Sequence, residues 1–429
     1  MPWRVFPKTP IPTLPPAASL KTYAAAMDAA KKWLAANNNN YKAEPYLVRA
    51  IELAANDKQK LEPLLIYAKN LELMTRKAGS RYSTKVFYRS DEAYQKYKEA
   101  EKLSTANKDE IRLAIASLAS LASFNSSLTP DALRKMVLAD SKEPDLLKFA
   151  QAEYTKLIDN ASVAPGIRAK AYIGRAKTRG SVVNFGGLNK DVATAKANDL
   201  KAAATLPGAP DEVHAEAYFE IVDFASQVKD INSVAGAYDA ITKLPKATNA
   251  QKIKAYESLV YILVQNRNIK LSRDELAAAN KLVGLTTEQK ATLLRMSALT
   301  FVFDADPSDP KEFGKAKKKA IAELDKSVKG RLTDDEKFKI YLESGEFLGK
   351  IGVACDLAVD QLEKAIKLKQ IKESQRAEAQ YQIGEAYRQS NRNDEAIAAY
   401  LKVSEANPQY RNYARQRLNQ VDPTGKYKQ

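Results

Sequence analysis

Any chemistry in this chain has few reactive side chains to draw on. The 429 residues include one histidine, His214, and one cysteine, Cys355. A single cysteine excludes a disulfide framework and a thiolate-built zinc site. A single histidine removes most metal centres and all but a one-imidazole nucleophile machine. His214 falls at an expected helix start, with no Cys or second His to share a metal. Cys355, between Ala354 and Asp356, reads as a packed small residue beside a turn. Asp304, Asp306 and Asp309 are spaced like the acids of a calcium loop. The turn glycine is missing, however, and Lys315 stands where a bidentate glutamate is needed, so they read as helix caps. Asp334 and Asp335 suit the dipole of a helix start. Phe185-Gly186-Gly187 lacks the Lys-Ser/Thr of a phosphate loop. Nothing assembles a nucleophile, a base and an oxyanion donor. The chain reads as a non-enzyme, and no metal or cofactor is implied.

Charge is the second resource. Lys and Arg number 68 against 52 Asp and Glu, a net +16. Such an excess fits an anionic partner or, spread over a long surface, simple solubility. It matters where it is local. Ala161–Gly208 holds eight Lys/Arg and two Asp/Glu, so this stretch alone carries +6. Within it, spacings of seven and eleven put Arg168, Arg175 and Arg179 on one helical face. Guanidinium forks suit carboxylates and phosphates. The alternatives are a solvated outer face or structural ion pairs to a neighbouring repeat. A second excess comprises Arg76, Lys77, Arg81, Lys85 and Arg89, interleaved with Tyr82, Phe87 and Tyr88 and free of acids across 76–90. That mixture suits single-stranded nucleic acid. It equally suits a loop that buries its rings and leaves its cations in water, and nucleic acid is the less favoured of the two.

The elements that must position these residues are helical. Alanine interleaved with Leu, Lys, Glu and Tyr favours helices, and β-branched alternation is scarce. The first 160 residues read as helices at about 19–36, 42–55, 59–76, 90–104, 107–123, 130–140 and 144–159. Asn37–Asn40 and Ser126–Pro130 are breaks. Residues 77–89 interrupt the rhythm and predict a long loop or small hairpin. Residues 1–19 carry six prolines and read as an extended arm rather than a helix or a secretion signal. No apolar run approaches the roughly 18–20 residues of a membrane span.

The clearest repeat unit is Ala377–Tyr410, two amphipathic helices around a polar turn at Gln389–Asn393. Gly384 and Ala396 permit close approach, Tyr387 and Tyr400 fill the space beside them, and Pro408 ends the unit. Counted from Ala377, positions 8, 11, 20, 24, 27 and 32 hold Gly384, Tyr387, Ala396, Tyr400, Val403 and Pro408, while position 4 holds Gln380. This unit resembles a tetratricopeptide repeat, whose 34-residue pattern wants small residues and aromatics at those places and a large aromatic at position 4. Weaker units follow upstream. Phe338–Gln370 offers Gly345, Leu348, Ala358 and Leu362, Ala215–Lys246 offers Tyr218 and Tyr238, and Ile167–Pro207 offers Gly174 with a long inter-helix loop. Segments 249–284 and 287–328 keep the pair rhythm without the signature.

The resemblance implies an all-α, right-handed solenoid of stacked helical hairpins. It divides the chain into an arm (1–19), a helical-hairpin region (20–160), a repeat region (161–418) and a tail (419–429). It also implies a non-enzymatic interaction scaffold that takes a partner segment on the first helix of each pair, at positions 2, 5, 9, 12 and 13. In the last unit these positions include Tyr381, Glu385 and Arg388, and in the Ile167 unit Arg168, Arg175 and Arg179. The expected partner is a protein or peptide, acidic if the arginines meet it. The other readings are self-association through the arm, with Trp3 and Phe6 docking on a neighbour, and capture of an anionic polymer, nucleic acid or glycan. A soluble chain is expected, cytoplasmic or exported.

Overall fold

The computed structural model of the chain describes residues 14–35, 40–73, 76–77, 85–86, 89–124, 131–139, 141–179, 183–184, 187–306, 308–351 and 354–422. Among them the fold is all-α, with twenty helices and two strand pairs of two residues each. Contacts divide the chain into two compact units, residues 1–231 and 232–429.

The first unit contains α1 (Tyr23–Ala35), α2 (Asn40–Leu53), α3 (Asp57–Leu73), α4 (Ser90–Glu101), α5 (Lys108–Ser123), α6 (Asp131–Leu138), α7 (Leu146–Asp159), α8 (Pro165–Thr178), α9 (Lys190–Thr205) and α10 (Asp211–Gln227). Helices pair α1 with α2, α3 with α4, α5 with α7 and α8 with α9, and each pair packs on the next. Local chemistry sets the starts. Asn107 and Asp145 cap α5 and α7 through their side chains, and Pro165 opens α8 where its missing N–H is harmless. The main apolar cluster runs without a break from Trp33 on α1 through Leu71, Leu118 and Leu157 to Ala171 on α8. The compact unit therefore ends at Ile231 rather than at the expected division near 160. Two antiparallel strand pairs interrupt the helices. In one, β1 (Arg76–Lys77) pairs with β2 (Lys85–Val86), and in the other β3 (Val183–Asn184) pairs with β4 (Gly187–Leu188).

The end of the proline-rich segment is not an extended arm. Ala17–Ser19 form a 3-10 turn, the Tyr46 hydroxyl donates to the Pro15 carbonyl at 2.8 Å, and Arg49 Nε donates to the Leu20 carbonyl at 3.0 Å. Leu14, Ala17 and Leu20 then pack on the core. Trp3 and Phe6 lie outside the described residues.

The second unit contains α11 (Ile231–Lys243), α12 (Asn249–Gln265), α13 (Ile269–Ala279), α14 (Thr287–Asp304), α15 (Pro310–Asp325), α16 (Asp334–Gly349), α17 (Cys355–Ile366), α18 (Glu373–Gln389), α19 (Asn393–Leu401) and α20 (Pro408–Val421). It is a stack of hairpins, α12/α13, α14/α15, α16/α17 and α18/α19. Successive first helices α12, α14, α16, α18 and α20 lie against one another. Thr248, Thr286 and Thr333 start α12, α14 and α16 with the same device, each bonding the backbone N–H three residues on while Gln251, Gln289 and Glu336 reach back. The turns repeat as well. Arg267 and Asn391 adopt positive φ (57° and 58°) just after α12 and α18, and the following amides bond back to Leu263 and Tyr387. Lys229, after α10, makes the same turn (φ 59°).

Close packing inside a hairpin depends on a missing side chain. A Cβ on Gly384 would come within 3.0 Å of the Tyr400 ring, and one on Gly345 within 3.0 Å of Leu362. Gly174 differs, since its nearest neighbours are ring atoms of Tyr154 on the preceding helix α7, so it does not serve the α8/α9 pair in the same way.

Candidate docking surfaces

Arg168 and Arg175 lie on α8 and Arg179 is its C-cap residue, and all three are engaged inside the first unit. Arg175 and Arg179 both close on Asp199 of α9, each with an Nη2–carboxylate distance of 2.7 Å, and the Asp199 side chain is only 5% exposed. Arg175 also donates to Thr155 on α7, and Arg168 Nε donates to the Ile158 carbonyl at 3.1 Å. The expectation of a free cationic patch is corrected accordingly. Two forks on one buried carboxylate tie α8 to α9, leaving no pair of arginines open for a ligand acid. The ion pairs are structural but close within the Ile167–Pro207 unit rather than on a neighbouring repeat.

The last repeat behaves similarly. Tyr381 is buried, with its ring 5.8 Å from Tyr400, 5.3 Å from Tyr410 and 6.0 Å from Tyr413. Glu385, 9% exposed, accepts from the Tyr400 hydroxyl at 2.5 Å, from Arg388 at 2.8 Å and lies 3.0 Å from Arg417 Nε. Burial opposes its charge, but the donors from Arg388 and Tyr400 outweigh that and hold its carboxyl below the usual range. Tyr381 and Glu385 thus lie beneath α20 rather than facing a partner, because the terminal helix itself occupies the first-helix face of α18. Arg388, part-exposed, is bound to Glu385. Near the other end of this face, Glu378 accepts from Tyr410 at 2.5 Å. Glu346 on α16 has its pKa pushed up to about 7, by burial first and by the Glu378 carboxylate second.

An open groove of about 430 Å³ lies elsewhere, over α18 and between the second helices α17 and α19. Ile366, Ile383 and Tyr387 supply apolar surface, and Glu363, Lys367, Glu395 and Lys402 stand at its rim. Gln380 lies within it, its amide donating to the Ala399 carbonyl at 3.2 Å. This is position 4 of the repeat, where the pattern wants a large aromatic. A glutamine there, facing Ala398 and Ala399, leaves unfilled the space a ring would take. Gln380, the departure from the repeat pattern, is thus one of the residues that line the groove.

The remaining candidates are structural or lie outside the described residues. Arg81 and Tyr82 are among the latter, while Arg76, Lys77 and Lys85 contribute backbone to the β1–β2 pair. Arg89 pairs with Glu44 at 2.5 Å and Glu92 at 2.6 Å, pinning α4 to α2 instead of offering a free cation. His214 lies 3.0 Å from the Leu206 carbonyl through Nε2, and Cys355 is buried with Sγ 3.5 Å from the Ala386 carbonyl. Asp309 caps α15, Asp306 accepts from Ser308, and Asp304 pairs with Arg273. Among the described residues no group of three or more His, Cys, Asp or Glu is placed to hold a metal, and no helix is long and apolar enough to cross a membrane.

No family model and no curated protein matches the chain. Similar solved structures are helical. The crystal structure of the P58(IPK) TPR domain is 14% identical over 94% of this chain and 99% of that one, at a TM-score of 0.22. The Naa15/Naa10 complex bound to HypK-THB is 12% identical over 97% and 72%, at 0.29. A circular tandem repeat protein with novel repeat topology is 11% identical over 94% and 84%, at 0.19. At scores this low, the reading of this chain rests on its own packing.

Proposed function

We propose that this chain is a non-catalytic docking scaffold whose receptor site is the groove over α18 between α17 and α19. The observation that supports this is the groove itself, with apolar surface from Ile366, Ile383 and Tyr387 and charges of both signs at its rim. Apolar anchoring with polar orientation at the edge is how short peptide segments are held. Mixed rim charge fits a segment with one or two apolar side chains flanked by residues of both signs, rather than an acidic segment met by the arginines. The arginines and the acids of α18 act in this reading as fasteners that keep the hairpins in register.

A random-peptide display library selected on the full chain tests the proposal, with Kd measured by fluorescence polarisation. Selected peptides should bind the wild type and lose at least about tenfold in affinity when Gln380→Trp fills the groove or Ala398→Arg obstructs it. Enriched peptides indifferent to both substitutions, or no enrichment at all, would refute it.

A further inference from the structure

We propose that the outward face of α15 is a docking strip for an acidic polypeptide segment, separate from the α17–α19 groove. Residues 311–319 carry five lysines and one acid, Glu312. The helix buries Ala316, Ala320 and Leu324. That stripe turns Lys311, Lys315, Lys318 and Ala322 to the opposite side, at spacings of four, three and four residues, and all four are exposed. Lys319 is exposed beside them. Among the described residues no acid pairs with Lys311, Lys315, Lys318 or Lys319. The charges around the strip, by contrast, are matched. Lys317 closes on Asp356 of α17 at 2.8 Å, Lys326 on Glu323 at 2.5 Å, and Lys364 of α17 on Asp325 at 2.6 Å. The uncompensated field is therefore one helix wide. Nothing bulky stands between the lysines. Gly314, three residues after Lys311 and four before Lys318, has no atom within 4 Å of where its Cβ would stand. Glycine weakens a helix interior, and no close contact in the fold calls for one here. The open space above it lets a ligand backbone settle among the ammonium groups.

Spacing and chemistry select the occupant. The axial step is about 6 Å from Lys311 to Lys315 and about 4.5 Å on to Lys318. An extended chain sets same-side residues about 6.6–6.8 Å apart, a mismatch that flexible lysine stems take up. Alternate Asp or Glu in such a chain meet successive lysines. The strip has no guanidinium fork and the helix no exposed ring, so it lacks the bidentate grip and the stacking platform that favour nucleic acid. Its narrowness favours one thin chain over a duplex or a bilayer, whose charge spreads over a broader front. The test is fluorescence polarisation of labelled decaglutamate and decathymidylate with the full chain. Salt is raised from about 10 mM to about 150 mM, which shortens the screening length from about 30 Å to about 8 Å. Decaglutamate should bind more tightly than decathymidylate and weaken as salt rises. Replacing Lys311, Lys315, Lys318 and Lys319 together by Gln, which keeps helix propensity, should cost at least about tenfold in Kd. Replacing Lys58, Lys102, Lys108 and Lys135, exposed in the first unit, by Gln removes the same net charge and should leave the affinity nearly unchanged. Decaglutamate that does not bind at low salt, that loses equally in the two quadruple variants, or that is matched by decathymidylate would overturn the proposal. Decaglutamate has no apolar side chain for the α17–α19 groove, so Gln380→Trp should not alter its binding and the two sites are read separately.

Discussion

Replacing Gly384 by alanine isolates the contact on which the hairpin design depends. The new methyl would come within 3.0 Å of three ring atoms of Tyr400. That ring is fully buried, its hydroxyl is held by Glu385, and Tyr381 stands 5.8 Å away, so it has no free direction to move. Forcing an extra carbon into such a core costs about 1–3 kcal/mol. If the ring swings and releases its bond to a charged carboxylate, a further ~1.5–3 kcal/mol is at risk. Against this stands the helix preference of alanine over glycine, about 1 kcal/mol. The net expectation is a loss of about 2 kcal/mol from the second unit. Urea unfolding by far-UV circular dichroism reads it, with hydrogen exchange of α18–α20 locating it. Trp33 lies in the core of the first unit and no tryptophan lies in the second, so tryptophan fluorescence serves as an internal reference. Gly236→Ala and Gly314→Ala are the controls, because a Cβ at either meets nothing within 4 Å. They should stabilise by about 0.4–1 kcal/mol. Adding Tyr400→Leu to Gly384→Ala should recover part of the loss. A Gly384→Ala protein as stable as the Gly314→Ala control would refute the close-approach argument.

Asp199→Asn should destabilise the first unit by about 2–3 kcal/mol in denaturant melts, since two part-buried arginines lose their shared counter-charge; reversing the charges of Arg168, Arg175 and Arg179 should likewise unfold that region rather than leave it intact. On the acid side, Glu44 is held below the usual carboxylate range mainly by its hydrogen bond from Arg89, and Asp356 by that from Lys317. Their contributions should be complete above about pH 4.5 and vanish as pH falls through the depressed values, and Arg89→Met should flatten part of that acid limb in melts recorded against pH.

Much of the architecture was legible because it is local. The expected helices at 107–123 and 144–159 appear as 108–123 and 146–159, where Asn107 and Asp145 cap the starts. The interruption expected at 77–89 holds most of the β1–β2 pair, which begins one residue earlier at Arg76, and the breaks near Asn37 and Ser126 separate helices as expected. Spacing also singled out Arg175 and Arg179, which share Asp199. What it could not supply was the opposing residue: Asp199 lies 20 positions beyond Arg179, across an inter-helix loop, and nothing in the spacing of the arginines points to it. The same holds at the C-terminus, where family positions marked Tyr381 and Glu385 as groove-facing. A helix reading of 408–421 packed back on α18 was needed to see that the chain covers those positions itself. Gln380 stood out in the sequence as a departure from pattern, but the groove it lines also draws on Ala398 and Ala399 of α19 and Ile366 of α17, which that departure does not point to.

Helix α20 has a consequence for what happens when it is lost. Its Ala414, Leu418 and Val421 cluster with Ala377, Tyr381, Ala396 and Tyr400. A polypeptide truncated before Pro408 would end in a raw aromatic seam, with the acid that Arg417 now neutralises left facing outward. The first suitable cover for that seam is a helix from another molecule, and head-to-tail contacts of this kind run on into open filaments wherever their rotation does not close a ring. Premature termination in this stretch should therefore yield filaments, not merely a shorter monomer.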